Sequence, residues 1–171
     1  MREAHTVEQV RAAEADLMAR LPEGALMRRA AAGLAAAIVD LLGGAYGRRV
    51  VLLVGSGDNG GDALYAGAML ARRGASVEAV LLGSRTHESA LAALLSAGGR
   101  VATRPSAGPD VVVDAIAGIG GRPGLRENAL AALRSVAGAP VVAVDVPSGG
   151  GGETRSAPGG HTHTKPTLPL R

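Results

Sequence analysis

The stretch VLLVGSGDNGGDALYAGAMLARRG, residues 51–74, decides how the rest of the chain reads. The continuous apolar run over residues 50–54 marks a strand buried on both faces. The next six residues, Gly55-Ser56-Gly57-Asp58-Asn59-Gly60, fit the spacing G-x-G-x-x-G of dinucleotide-binding turns. A helix over 61–73, stopped by Gly74, follows.

Working outward, the same grammar repeats. Residues 77–82 read as a second buried strand, 88–97 as a helix and 101–103 as a short strand. Residues 111–113 form a fourth strand, 125–136 a helix and 141–144 a fifth strand. Strands alternating with helices predict an α/β fold, with a parallel sheet covered on both faces. Upstream, Thr6-Val-Glu-Gln9 is a capping-box pattern that starts a helix over 7–20. Pro22 restarts the chain, and residues 25–42 read as a second helix closed by Gly43. This helix pair serves packing or a homodimer contact rather than chemistry. From Gly149 the chain runs GGGGETRSAPGGHTHTKPTLPLR, with four successive Gly, three Pro and no apolar period. The expected organisation is therefore one domain over 1–149 and a flexible tail over 150–171.

Composition narrows the function classes. A chain of 171 residues suits one sizeable core. That core must be aliphatic, because there is no Phe, no Trp and only two Tyr. Eighteen basic against fifteen acidic residues give a net charge of only +3, and few aromatics could stack on bases, so a nucleic-acid partner is poorly supported. The absence of Cys excludes disulfides, iron–sulfur clusters, thiolate zinc sites and a thiol nucleophile, and fits a reducing cytoplasm. The acidic residues Glu3, Glu8, Glu14 and Asp16 interrupt any signal-peptide pattern. The most apolar run, 30–39, is too short to span a bilayer and ends at Asp40.

The glycine turn has two readings. A dinucleotide fold normally places an acidic residue at the end of its second strand, where it binds ribose hydroxyls. Here that strand ends in Gly83-Ser84, and Glu78 stands at its start, so an NAD-dependent oxidoreductase lacks its partner residue. A phosphate-binding P-loop lacks its Gly-Lys-Ser/Thr. What remains is a run of small and polar residues opening a helix, where backbone N–H groups and the helix dipole attract an anion. The alternative is plain helix capping by Asp58 or Asn59.

Two further stretches end strands in the same way. VVVDAIAGIGGRPGL (111–125) places Asp114 after the fourth strand, and VVAVDVPSGG (141–150) places Asp145 after the fifth, with Ser148 three residues on. In a sheet of order 3-2-1-4-5, Asn59, Asp114, Asp145 and Ser148 would face one crevice at the carboxyl ends of the strands. Either aspartate alone reads better as a turn or cap residue, and it is the two together, each followed by a glycine-rich turn, that point to a site. Ser148 lacks the G-x-S-x-G elbow of a hydrolase nucleophile. Histidine chemistry is thin: His5 precedes the first helix, His87 begins an exposed one, and His161 and His163 sit in the tail. An acid or base is therefore expected to be a carboxylate.

Together VGSGDNGGDAL, VVVDAIAGIGG and VVAVDVPSG, with VEQVRAAEADLM at the start, resemble the NAD(P)H-hydrate epimerase family, the YjeF N-terminal domain. The resemblance covers about residues 6–149. It implies a Rossmann-like three-layer αβα sandwich and interconversion of the R and S epimers of hydrated NADH and NADPH in cofactor repair. A separate NAD(P)H-hydrate dehydratase is then the functional partner. It also implies a potassium ion held by Asn59, Asp114 and Ser148. Asp58, Asn59, Gly60, Gly61 and Asp62 would cradle the substrate, together with Gly118, Ile119, Gly120, Gly121, Arg122, Pro123 and Gly124. Asp145 would touch its reacting end as the catalytic acid and base. The chain departs from the family pattern at Asp58, usually Asn, at Ala63, often Gly, and at Pro123. After Ser148-Gly149 it lacks the acidic loop and further strands that the family continues with, so it reads as truncated. A binding or dimerisation module of the same fold is the alternative function.

Overall fold

The apolar runs pair into one parallel sheet. In the computed structural model, which describes residues 8–9, 24–117, 126–145 and 148, five strands form it: β1 (Arg49–Val54), β2 (Ser76–Leu81), β3 (Arg100–Ala102), β4 (Val111–Ala115) and β5 (Val141–Ala143). Their order is β3-β2-β1-β4-β5, with every neighbouring pair parallel. Four helices are described in full: α1 (Ala25–Leu42), α2 (Asp58–Arg72), α3 (Glu88–Ser96) and α4 (Glu127–Ser135). Glu8 and Gln9 are helical, as expected of the upstream helix, whose other residues lie outside those described. The glycine run from Gly149 and the rest of the tail also lie outside them.

Side chains of a strand alternate between faces, and here the alternation sorts the core into two layers. Val50, Leu52 and Val54 of β1 join Leu34 and Ile38 of α1, Leu64 and Leu70 of α2, and Leu94 of α3. Val51 and Leu53 point the other way, with Val80 and Val112, against Ala129 and Ala132 of α4. The result is an αβα sandwich with α1, α2 and α3 on one side and α4 on the other. Nearly all of β1 is sealed from water, which is why its sequence shows no polar alternation. No helix among the described residues is long and apolar enough to cross a membrane.

The element boundaries shift by a few residues from those read in the sequence. β3 starts at Arg100 rather than Val101, because Arg100 pairs with Glu78 across the sheet edge. β4 continues through Asp114 to Ala115, because β1 and β5 flank it on both sides.

Glu78 is the acidic residue that stood at the wrong end of the second strand for a ribose. The structure gives it a different task. It is only 4% exposed, on the α4 side of the sheet. It accepts from Arg100 Nε at 3.1 Å and Nη2 at 2.8 Å, and from the Ser106 N–H at 2.7 Å and hydroxyl at 2.9 Å. Burial pushes its carboxyl up, but the Ser106 and Arg100 donors outweigh that, and the group stays below its ordinary value of 4.5. A carboxylate depressed in the folded state stabilises the fold above its unfolded pKa. That contribution is lost as the pH falls below about 4.5 and through the lower folded value. Glu78→Gln should therefore cost about 1–3 kcal/mol at neutral pH. It should also flatten the fall in stability as the pH drops below about 4.5, as read by urea denaturation at a series of acidic pH values.

Candidate active site at the carboxyl edge of the sheet

The glycine turn is shorter than its sequence pattern implied. Only residues 55–57 are non-helical. Asp58, Asn59 and Gly60 already form the first turn of α2, which was expected to begin at Gly61. Gly57 is the cap residue, in extended conformation, and having no side chain it offers no acceptor to the first-turn amides. Neither Asp58 nor Asn59 caps the helix, so the plain capping reading of this run is set aside. The early start depends on Gly60, where a Cβ would stand 2.4 Å from the Gly55 carbonyl oxygen. The turn is fastened to the neighbouring strand end by the Gly55 N–H, which donates to the Ala115 carbonyl at 2.9 Å.

Asp114 occupies that strand end. Strand register pairs it with Leu53 on one side and Ala143 on the other, and it is 4% exposed. A carboxylate so placed needs hydrogen-bond donors, and Ser148 supplies two of them. Its hydroxyl donates to Oδ1 at 2.5 Å and its N–H to Oδ2 at 2.9 Å. The Ile116 N–H adds a longer bond to Oδ1 at 3.3 Å. The Ser148 hydroxyl in turn accepts from the Ala117 N–H at 3.2 Å. It is therefore engaged as donor and acceptor at once, which suits a clasp and not a nucleophile. Asp145 follows one residue after Val144, whose N–H donates to the Asp114 carbonyl at 3.0 Å, and it is half-buried.

The structure thus brings Asp114 and Ser148 into direct contact and sets Asp145 at the adjoining strand end. Asn59 stands on the helix that leaves β1, the strand next to β4. Its Nδ2 is buried with no hydrogen-bond partner among the described residues. A buried polar group without a partner is uncommon in a folded protein and calls for a specific explanation. Asp58 is exposed at the start of α2, while Gly60 and Gly61 are buried and Asp62 is half-buried. The glycine-rich loop from Gly118 to Gly124, with Arg122, lies outside the described residues.

His87 differs from its sequence reading. Rather than opening an exposed helix, it is half-buried and caps α3, its Nδ1 accepting from the Ala90 N–H at 3.3 Å. Its ring packs edge-on against Tyr65, with centroids 5.8 Å apart, and Tyr65 donates its hydroxyl to Ser89 at 3.1 Å. Met27 of α1 and His87 both close over Gly61, so a side chain there would collide with each. No spacing in the sequence links these residues, because they come from three separate helices or their caps.

Comparison with known proteins places this geometry in a family. The pattern of the YjeF-related protein N-terminus matches residues 23–169. A Mycobacterium tuberculosis protein named bifunctional NAD(P)H-hydrate repair enzyme Nnr is 54% identical over 156 residues, covering 87% of this chain and 33% of its own length. Two proteins named NAD(P)H-hydrate epimerase are also similar. The one from Microbacterium testaceum is 46% identical, covering 85% of this chain and 60% of its own. The one from Clavibacter michiganensis is 39% identical, covering 91% and 74%. The chain spans about a third of the length of the bifunctional relatives. The crystal structure of the yeast protein ynu0 shares the fold, with a TM-score of 0.70 at 20% identity, covering 86% of this chain and 72% of that one. With its three strand-end motifs assembled at one edge of the sheet and the family pattern matched over most of its length, the chain belongs to the YjeF-related N-terminal family.

Proposed function

We propose that this chain is an isomerase that interconverts the R and S epimers of hydrated NADH and NADPH. The observation that carries the reading is the buried Asp114, clasped by Ser148 at the strand end beside Asp145. The names of the relatives supply the substrate class. In this reading the first turn of α2 faces the pyrophosphate, and the hydrated ring lies over the ends of β4 and β5.

The chemistry asked of the site is loss and return of one hydroxyl. The ring nitrogen donates its lone pair toward C6 while the C6 hydroxyl takes a proton and leaves as water. Water then adds to the opposite face of the cationic ring and gives up a proton. Asp145 is the group proposed for both proton transfers. Both carboxylate oxygens of Asp114 are already engaged by Ser148. Asp145→Asn should lower kcat/KM by ~10²–10⁴-fold with the fold intact by circular dichroism, measured as the R:S ratio followed by chromatography. Full activity in that variant would assign the transfers elsewhere.

Asn59, Asp114 and Ser148 would hold a potassium ion. The donor set fits, because amide, carboxylate and hydroxyl oxygens suit a hard cation. Rotating the Asn59 amide by half a turn brings its oxygen to the orphaned, buried position. When bound, potassium supplies positive charge that screens and orients the substrate. The melting temperature should then be higher in potassium than in sodium buffer of equal ionic strength, and the difference should vanish in Asp114→Asn. Equal stability in both salts would remove the selective ion. Ser148→Ala, which strips two bonds from this centre through one hydroxyl, should cost about 1–2 kcal/mol in urea denaturation.

In this scheme the R epimer is converted to the S form that a dehydratase consumes. A fused partner of that kind fits the word bifunctional in the names of the longer relatives.

A further inference from the structure

The substrate reading leaves one stretch of the carboxyl edge unused, the turn between β2 and α3. Its residues are Gly83-Ser84-Arg85-Thr86-His87, with two basic side chains and no acidic one before Glu88 begins the helix. This turn is built onto the glycine turn. A Cβ at Gly83 would stand 2.2 Å from Ser56 Oγ and 2.5 Å from the Ser56 nitrogen, so only glycine admits the contact. The Arg85 N–H then donates to Ser56 Oγ at 3.3 Å. The two turns make one continuous floor. His87 is occupied as the α3 cap, its Nδ1 taking the Ala90 N–H. The Arg85 guanidinium is exposed and makes no ion pair among the described residues, with Glu88 or any other carboxylate.

In the pose proposed above, the strand order sets where this floor would lie relative to the substrate. With the hydrated ring over β4 and β5 and the pyrophosphate at the start of α2, the adenosine half runs past β1 toward β2. Each strand adds about 4.8 Å. In nucleotide-binding sheets of this order an acidic residue at the end of the second strand takes the two ribose hydroxyls, whereas an arginine there accommodates a 2′-phosphate. Here the acidic residue is absent. Glu78, the one carboxylate of β2, lies toward the far end of the strand and is already paired with Arg100. The positively charged alternative is present.

We propose that Arg85 selects the 2′-phosphorylated substrate, so that NADPH hydrate is preferred over NADH hydrate. The proposal rests on the dinucleotide reading above and adds its specificity residue. Guanidinium and phosphate form a bidentate, charge-assisted pair, and a ribose hydroxyl offers no equivalent acceptor.

The test uses equilibrium binding and needs no turnover. Adenosine 2′,5′-bisphosphate and AMP are titrated into the intact chain by calorimetry at about 0.1 M salt, where the Debye length is about 10 Å. The bisphosphate should bind at least ~10-fold more tightly. Arg85→Ala should bring the two affinities within about two-fold, and Arg85→Lys should restore part of the difference. Arg134→Ala, an exposed arginine on the last turn of α4, should leave the ratio unchanged and so excludes a general charge effect. Equal affinities in the parent chain, binding of neither nucleotide, or a ratio that Arg85→Ala leaves intact would overturn the proposal. So would a collapse of the ratio in Arg134→Ala. A preserved, Arg85-dependent ratio in a chain without epimerase activity would sink the proposed reaction and leave the role of Arg85 standing.

Discussion

One constraint organises this molecule: β1 is buried on both faces and paired on both sides, so the chain leaving it must turn within a space already taken by β4. The Gly55 N–H meets the Ala115 carbonyl there, and α2 begins three residues later. With Cβ atoms in the way, neither the turn nor the first turn of the helix could lie so close to the strand ends. The close approach sets an uncapped helix start beside a strand end that carries Asp114. The polar edge of the sheet is thus a consequence of how tightly its centre is packed.

Asp114 shows how a buried charge is retained in such a place. A buried carboxylate without donors is costly. Ser148 supplies them by returning to it from beyond β5, with hydroxyl and amide on opposite carboxylate oxygens. That clasp ties the segment after β5 to the end of β4 and sets Asp145 between them in the chain. Glu78 solves the same problem at the other end of the sheet, with Arg100 and Ser106 as donors. Two buried carboxylates therefore have separate roles. One pins β2 to the edge strand and the loop after it, and the other stands where chemistry is proposed.

Much of this was legible in residue order. The apolar runs gave every strand of the sheet, and the alternation with helices gave its parallel sense. The strand-end aspartates were visible because they interrupt apolar runs at the point where glycine follows. Where reading stopped, the reason was spatial. Asp58 and Asn59 sit inside a helix because Gly60 lets its first turn lie against Gly55, a matter of backbone clearance. His87 is half-buried because Tyr65 packs against its ring from another helix and the ring closes over Gly61. The Arg85 turn carries no local signal, because its setting depends on contact with Ser56, 29 residues earlier.

The sequence by itself determined the α/β class, the order of elements and the residue types at three strand ends, because burial and hydrogen bonding act on runs and alternations a few residues long. Only the tertiary structure decided that Asp114 is clasped by Ser148, that Glu78 belongs to Arg100 rather than to a ribose, and that Asn59 keeps a buried amide without a partner among the described residues. Those are facts about atoms brought together across 22 to 34 positions of chain. No local pattern encodes them, since the pairing follows from strand register and the packing of helices on the sheet.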